Sequence, residues 1–156
     1  MRKFGPRAAR LLPHGRHLGA GKSWTNRRQL SVKRDVAVAL NDKLISSETA
    51  ADVLKLFEKN GGDYDFINIA TSLHRLGVLR RSFKKSSAPL LHKLVDRAVS
   101  SIMRDSHKWG PQQLSNACWG VATIGNVEAP ALFAAVAAVA RKKIAKFKPQ
   151  NLTNIV

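Results

Sequence analysis

The sequence predicts an all-α fold, an α-solenoid of helix-pair repeats preceded by a disordered basic N-terminus. Three observations carry this expectation. The first is a self-match at a spacing of 38 residues: Trp109-Gly110-Pro111-Gln112-Gln113-Leu114-Ser115-Asn116-Ala117-Cys118 aligns with Phe147-Lys148-Pro149-Gln150-Asn151-Leu152-Thr153-Asn154-Ile155-Val156. Aromatic, Pro, Gln, Leu and Asn recur in register, and a fixed period of this size marks stacked helical pairs. The second is a series of apolar stripes at spacings of three and four, the helical period. The third is composition: Leu, Ala, Val and Ile are plentiful while only 6% of residues are aromatic, which suits helices better than a sandwich or barrel. The expected division is residues 1–34 as a basic transit peptide or disordered arm and 35–156 as the repeat domain. Within that domain the repeats cover about 64–108, 109–146 and, in part, 147–156. Val156 falls where Cys118 sits, so the period predicts a chain that stops mid-helix and belongs to a longer protein.

The N-terminal block is set apart by charge. The chain carries a net charge of +17, and residues 1–34 contribute ten Lys or Arg with no Asp or Glu. Arginine-rich, acid-free sequence with short apolar patches (Phe4, Leu11-Leu12, Leu18) is the composition of an organelle transit peptide. Arg27-Arg28-Gln29-Leu30-Ser31 resembles a mitochondrial processing site. The alternative is a basic arm that touches RNA. The remaining residues hold 17 basic groups against ten acids, a moderate excess compatible with a phosphate backbone as partner. A single Cys excludes an internal disulfide and fits a reducing compartment. No apolar run approaches the ~18 residues that would span a bilayer.

Each element follows from its own residues. Residues 41–47 read as a polar turn. Residues 48–59 place Ala50, Val53, Leu54 and Phe57 on one helical face, stopped by Asn60-Gly61-Gly62. From about Asp65 a second helix buries Phe66, Ile69, Ala70, Leu73 and Leu76. Gly77 is its expected C-terminal stop, and Asn68, Ser72 and Arg75 fall on the other side. A third helix opens at Pro111, a residue suited to a first helical position. Its stripe is Leu114, Ala117, Cys118, Val121 and Ile124, its stop Gly125. A shift of 48 residues superposes these two helices, so the first repeat is a degenerate and longer copy. Its extra length includes the basic loop 80–86. Ala88-Pro89-Leu90-Leu91 and Ala129-Pro130-Ala131-Leu132 open the second helix of each pair. The latter has the expected stripe Phe133, Val136, Ala140, Ile144 and Phe147, with Arg141, Lys142, Lys143 and Lys146 crowding its C-terminal end, where the helix dipole favours cations.

The stretch Pro111-Gln112-Gln113-Leu114-Ser115-Asn116-Ala117-Cys118-Trp119-Gly120-Val121-Ala122-Thr123-Ile124-Gly125 resembles the first helix of an octatricopeptide-type repeat, the 38-residue unit of many algal and protist organelle proteins. Residues 66–77, Phe-Ile-Asn-Ile-Ala-Thr-Ser-Leu-His-Arg-Leu-Gly, are similar to the leading repeat of the FAST-kinase-like and RAP-associated group. The resemblance covers about residues 45–156. It implies a right-handed superhelix fragment acting in organelle RNA metabolism: transcript stabilisation, splicing, processing, editing, translation or ribosome assembly. Many members carry a C-terminal RAP domain, for which these residues give no sign. Gly120 departs from the family's usual Ala after Trp, at an expected cost of ~1 kcal/mol of helix stability.

Catalytic chemistry finds little support. Gly21-Lys22-Ser23 matches only the end of a phosphate-binding P-loop; the position five residues earlier is Arg16, and no strand precedes it. Cys118 occupies a small apolar slot rather than a nucleophile's. His74 reads as a packed or partly exposed side chain, and His92 and His107 lack partners at metal-ligand spacing. Carboxylates are scarce and unpaired. No catalytic residue, cofactor or metal is expected. The candidate base-facing residues are Gln113, Asn116, Asn68, Ser72 and Asn151, because amides both donate to and accept from base edges and repeat proteins read single-stranded RNA. Gln112, Gln150 and Asn154 recur beside them, and Gly120 matches Ser72. The competing role for the recurrent Asn is a bond to backbone between helices. Candidate phosphate ligands are Arg75, Arg80, Arg81, Lys84, Lys85, Arg141, Lys142, Lys143 and Lys146, against the alternative of a solvated charged face. The expected partner is single-stranded organelle RNA, with other proteins of a ribonucleoprotein complex but no membrane, in the mitochondrial matrix or a plastid. The rival expectation is a protein-binding scaffold, such as a subunit of an organelle ribosome or an editing complex.

Overall fold

The computed structural model describes residues 20–125 and 129–155. Among these the chain is all-helical, with seven α-helices, four short 3-10 turns and no strand. It divides into two compact units, Met1–Val32 and Lys33–Val156. The described part of the first unit is the opening of helix α1 (Ala20–Ile45), where residues 26–32 are all exposed. Residues 1–19 of the expected arm lie outside the described residues. From Ala20 onward the expected unstructured block is helix, and Gly21-Lys22-Ser23 sits inside that helix rather than in a loop.

In the second unit α1 continues through the stretch expected as a turn, ending at Ile45. The reason is the spacing of Ala37, Leu40 and Leu44, three and four apart and all buried, which puts one face of the polar segment against the core. Helix α2 (Ala50–Asn60) starts from a capping box: the Thr49 side chain accepts from the Asp52 N–H, and the Asp52 carboxylate accepts from the Thr49 N–H. These bonds satisfy donors that a helix start leaves orphaned. The Phe57 ring then meets Tyr64 edge-on at 5.7 Å.

Helix α3 (Phe66–Val78) repeats the device, with Asp65 accepting from the N–H groups of Ile67 and Asn68 and the Asn68 side chain accepting from the Asp65 N–H. Helix α4 (Ala88–Arg104) carries Pro89 in its first turn and buries Leu91, Leu94, Val95, Ala98 and Ile102. Helix α5 (Pro111–Ile124) begins at its proline and stops at Gly125, whose φ of 69° lies in the left-handed region that favours glycine. Helix α6 (Pro130–Lys143) and the short α7 (Pro149–Thr153) complete the chain.

Helix α3 lies along α5 and α4 along α6, while α5 also touches α6 and α7. Under the 48-residue shift, Ile69, Ala70, Ser72, Leu73 and Leu76 correspond to Ala117, Cys118, Gly120, Val121 and Ile124, and all ten are buried. At the 38-residue shift, α5 and α7 both open with proline at the first helical position.

Two further expectations are corrected. Gly77 is not a stop. It lies inside α3 with an ordinary right-handed φ, and a Cβ there would come within 2.9 Å of the Gly120 Cα. The α6 stripe is also rotated. Leu132, Val136 and Ala140 are buried, while Phe133 is 38% and Ile144 56% exposed. The helix gives way to a 3-10 turn at Ile144–Lys146, which breaks the periodicity that had carried the stripe to Phe147.

Candidate nucleic-acid interface

The site begins at the two flanks of α5. Toward α3 the backbones cross at two glycines. A Cβ on Gly120 would lie 2.1 Å from the Leu73 carbonyl oxygen, and one on Gly77 would lie 3.0 Å from Cζ3 of Trp119. Only a glycine at 120 permits this approach. Gly120 is therefore a packing residue, closed to any ligand, and not a helix defect. Its counterpart Ser72 is fully buried as well. The Cys118 thiol is buried on the same helix, and burial pushes its pKa up to about 11, so it stays protonated and unreactive.

Toward α7 the packing opens. A cleft of about 380 Å³ is lined by Pro111, Gln112 and Asn116 of α5, by Gln150, Asn151 and Asn154 around α7, and by Lys146 and Lys148. Five amide side chains and two ammonium groups thus share one hollow. The α7 backbone is held there by Ser115, whose hydroxyl lies 2.8 Å from both the Pro111 and Asn151 carbonyl oxygens and shares one proton between them. A groove of similar size between α2 and α4 sets Lys59, Lys93 and Arg97 beside Glu58 but is lined by no amide side chain that could bond a base edge.

The structure sorts the predicted base-facing residues. Asn116 and Asn151 are in the cleft. Asn151 also closes the start of α7, its side-chain oxygen accepting from the Lys148 N–H at 3.1 Å. Gln113 holds the same place after the α5 cap Gly110 and is partly exposed. Asn68 is corrected: it is 1% exposed, and its amide donates to the Ala37 carbonyl of α1 at 2.9 Å, the interhelical backbone role rather than a base-facing one. Ser72 is corrected likewise, because it lies in the α3 core.

The predicted cations divide too. Arg75 is committed to the Ser47 carbonyl. Lys143 donates to the carbonyls of Ser106, His107 and Trp109, closing the loop before α5; burial, with Lys146 nearby, lowers its pKa. These two are structural. Arg141, Lys142 and Lys146 are exposed after the end of α6 or in its last turn, and Arg80, Arg81, Lys84 and Lys85 are exposed between α3 and α4. Of all these only Lys146 lines the cleft. Sequence reasoning missed Lys148, whose alignment with Gly110 hid it. It also missed Trp119, which stacks on His74 of α3 with ring centroids 4.9 Å apart and planes tilted by 34°. Both rings are partly exposed. Burial, then the Arg75 charge, holds the His74 imidazole below its usual pKa, so the ring is neutral at pH 7.

Among the described residues no three His, Cys, Asp or Glu cluster as metal ligands, and no helix is long and apolar enough to cross a membrane. No family model, curated protein or solved structure matches the chain.

Proposed function

We propose that the chain binds single-stranded RNA without catalysis, and that its helices form a right-handed solenoid of octatricopeptide-like pairs serving organelle RNA metabolism, with residues 1–34 directing it to the mitochondrion. The observation that carries the reading is the α5–α7 cleft, where Asn116, Gln112, Gln150 and Asn154 meet Lys146 and Lys148. Ammonium groups at a rim hold phosphates, and amides within reach bond base edges. The pairing of α3 with α5 and of α4 with α6 supports the solenoid. A second reading, a scaffold for other proteins, rests on the exposed Phe133, Ile144 and Leu152 of α6, its following turn and α7.

Salt dependence tests the first reading. Each phosphate neutralised on a single strand contributes about −0.7 to the logarithmic slope of affinity against salt. Changing Lys146 and Lys148 together to Ala in the full chain should flatten that slope by about 1.4, as two lost contacts require. The same change at Lys84 and Lys85, outside the cleft, should leave it steeper. Equal slopes in both variants would remove the cleft as the RNA site, and absence of RNA binding would favour the scaffold.

A further inference from the structure

We propose that Trp119, braced by His74, is a stacking platform for one base of the RNA whose phosphates follow the α5–α7 cleft. The proposal rests on the RNA-binding reading and adds a kind of contact that no amide or cation in the cleft supplies. The two tryptophans Trp109 and Trp119 are not equivalent. Trp109 is fully buried, packs 6.3 Å from Phe66 and gives its indole N–H to Ser101 at 3.1 Å. It belongs to the core. Trp119 lies at the α3–α5 crossing. One edge of its ring abuts Gly77 and its neighbour in the stack is His74, yet part of the ring still meets solvent. The ring is therefore held in orientation by two contacts from α3 without being used up by them.

Its place relative to the cleft is the second argument. Asn116 precedes Trp119 by three residues in α5, so both project from the same face of the helix, one turn apart. Asn116 lines the cleft with Lys146 and Lys148. A strand with a phosphate at those lysines and a base against Asn116 brings a neighbouring base to the indole. Groove cations combined with an aromatic ring are the two components by which proteins hold single strands, and every base has a face to stack. The neutral His74 ring extends the aromatic surface without adding a charge at pH 7. Trp119 should thus contribute affinity with little sequence preference, complementing the amides.

The test compares the full chain on oligouridine and on an abasic ribose-phosphate chain of the same length. The unaltered protein should bind oligouridine more than tenfold tighter, about tenfold being the share of one base–aromatic stack. Trp119→Leu, which keeps apolar bulk over Gly77, should remove about tenfold of the preference, within the range of one base–aromatic stack, by weakening oligouridine alone, and what remains is the share of the cleft amides. Trp119→Phe should retain most of the preference. Independently of any variant, the Trp119 indole resonance should shift on adding oligouridine and not on adding the abasic chain. A preference undiminished in Trp119→Leu, or an indole signal indifferent to oligouridine, overturns the stacking site while the RNA reading stands. Failure to bind either polymer overturns the RNA reading and the platform with it.

Discussion

Helix α5 has two unlike flanks. On one it meets α3 so closely that Gly120 has no room for a methyl group; on the other it faces α7 across a polar cleft, joined to it by the shared Ser115 proton. The same 14 residues thus serve a rigid contact and an open surface. Stability is concentrated on the α3 side, leaving the α7 side free to carry amides and lysines that a packed interface would have to bury at a cost. A residue's value therefore depends on the flank it occupies, whatever repeat position it shares.

The sharpest way to break this comparison is Gly120→Ala. In an exposed helix interior this change would gain about 1 kcal/mol from propensity. Here the new Cβ would sit 2.1 Å from the Leu73 oxygen and 2.4 Å from its carbonyl carbon. Both are backbone atoms, so α3 and α5 must separate. We expect a loss of about 3 kcal/mol or more, the upper part of the overpacking range, read from the urea midpoint. Gly62→Ala, with nothing within 4 Å of the added methyl, is the matched control and should change stability by less than about 0.5 kcal/mol. A stabilised Gly120→Ala protein would show that the crossing is not tight.

The next largest effect separates two residues that the 48-residue shift makes equivalent. Asn68→Ala removes a buried interhelical bond to Ala37 and half of the α3 capping box, for an expected loss of about 1–3 kcal/mol. Asn116→Ala, in the open cleft, should cost less than about 0.5 kcal/mol and should weaken RNA binding instead. Equal losses in stability would mean that the two asparagines share one structural role.

These pairs also mark what the sequence made legible. The helices α2 to α6 follow from apolar spacing, prolines and turn residues, which are local signals. The capping boxes of Thr49 with Asp52 and Asp65 with Asn68, which fix two starts, were passed over in the sequence. The α1 continuation was hidden because only Ala37, Leu40 and Leu44 mark its inner face amid charged and exposed β-branched residues. Gly77 and Gly120 were misread because a glycine's local meaning, a stop or a weak point, is overridden when another backbone approaches it. The recurrent asparagine was ambiguous for the same reason: burial is decided by the neighbouring helix. In the cleft, Asn116, Asn151 and Lys146 were foreseen singly, but Lys148 enters only once α7 is placed beside α5, and Trp119, outside the cleft, only once α3 is.

The smallest effect tests the edge between the two flanks, at His74. Burial and Arg75 lower its folded pKa, so the unfolded chain binds the proton first. Stability is then undiminished above the unfolded value of about 6.5 and falls as pH drops below it, until the folded imidazole also protonates. His74→Gln should remove this part of the pH dependence while leaving the rest of the acid limb. The indole face supplies an opposing pull, since an imidazolium beside Trp119 gains cation–π attraction of about 0.5–1 kcal/mol at an exposed site. An NMR titration of His74 decides between them. A midpoint below 6.5 means desolvation by the α3–α5 contact dominates; a midpoint above it would reverse the slope and show that the indole's attraction outweighs burial.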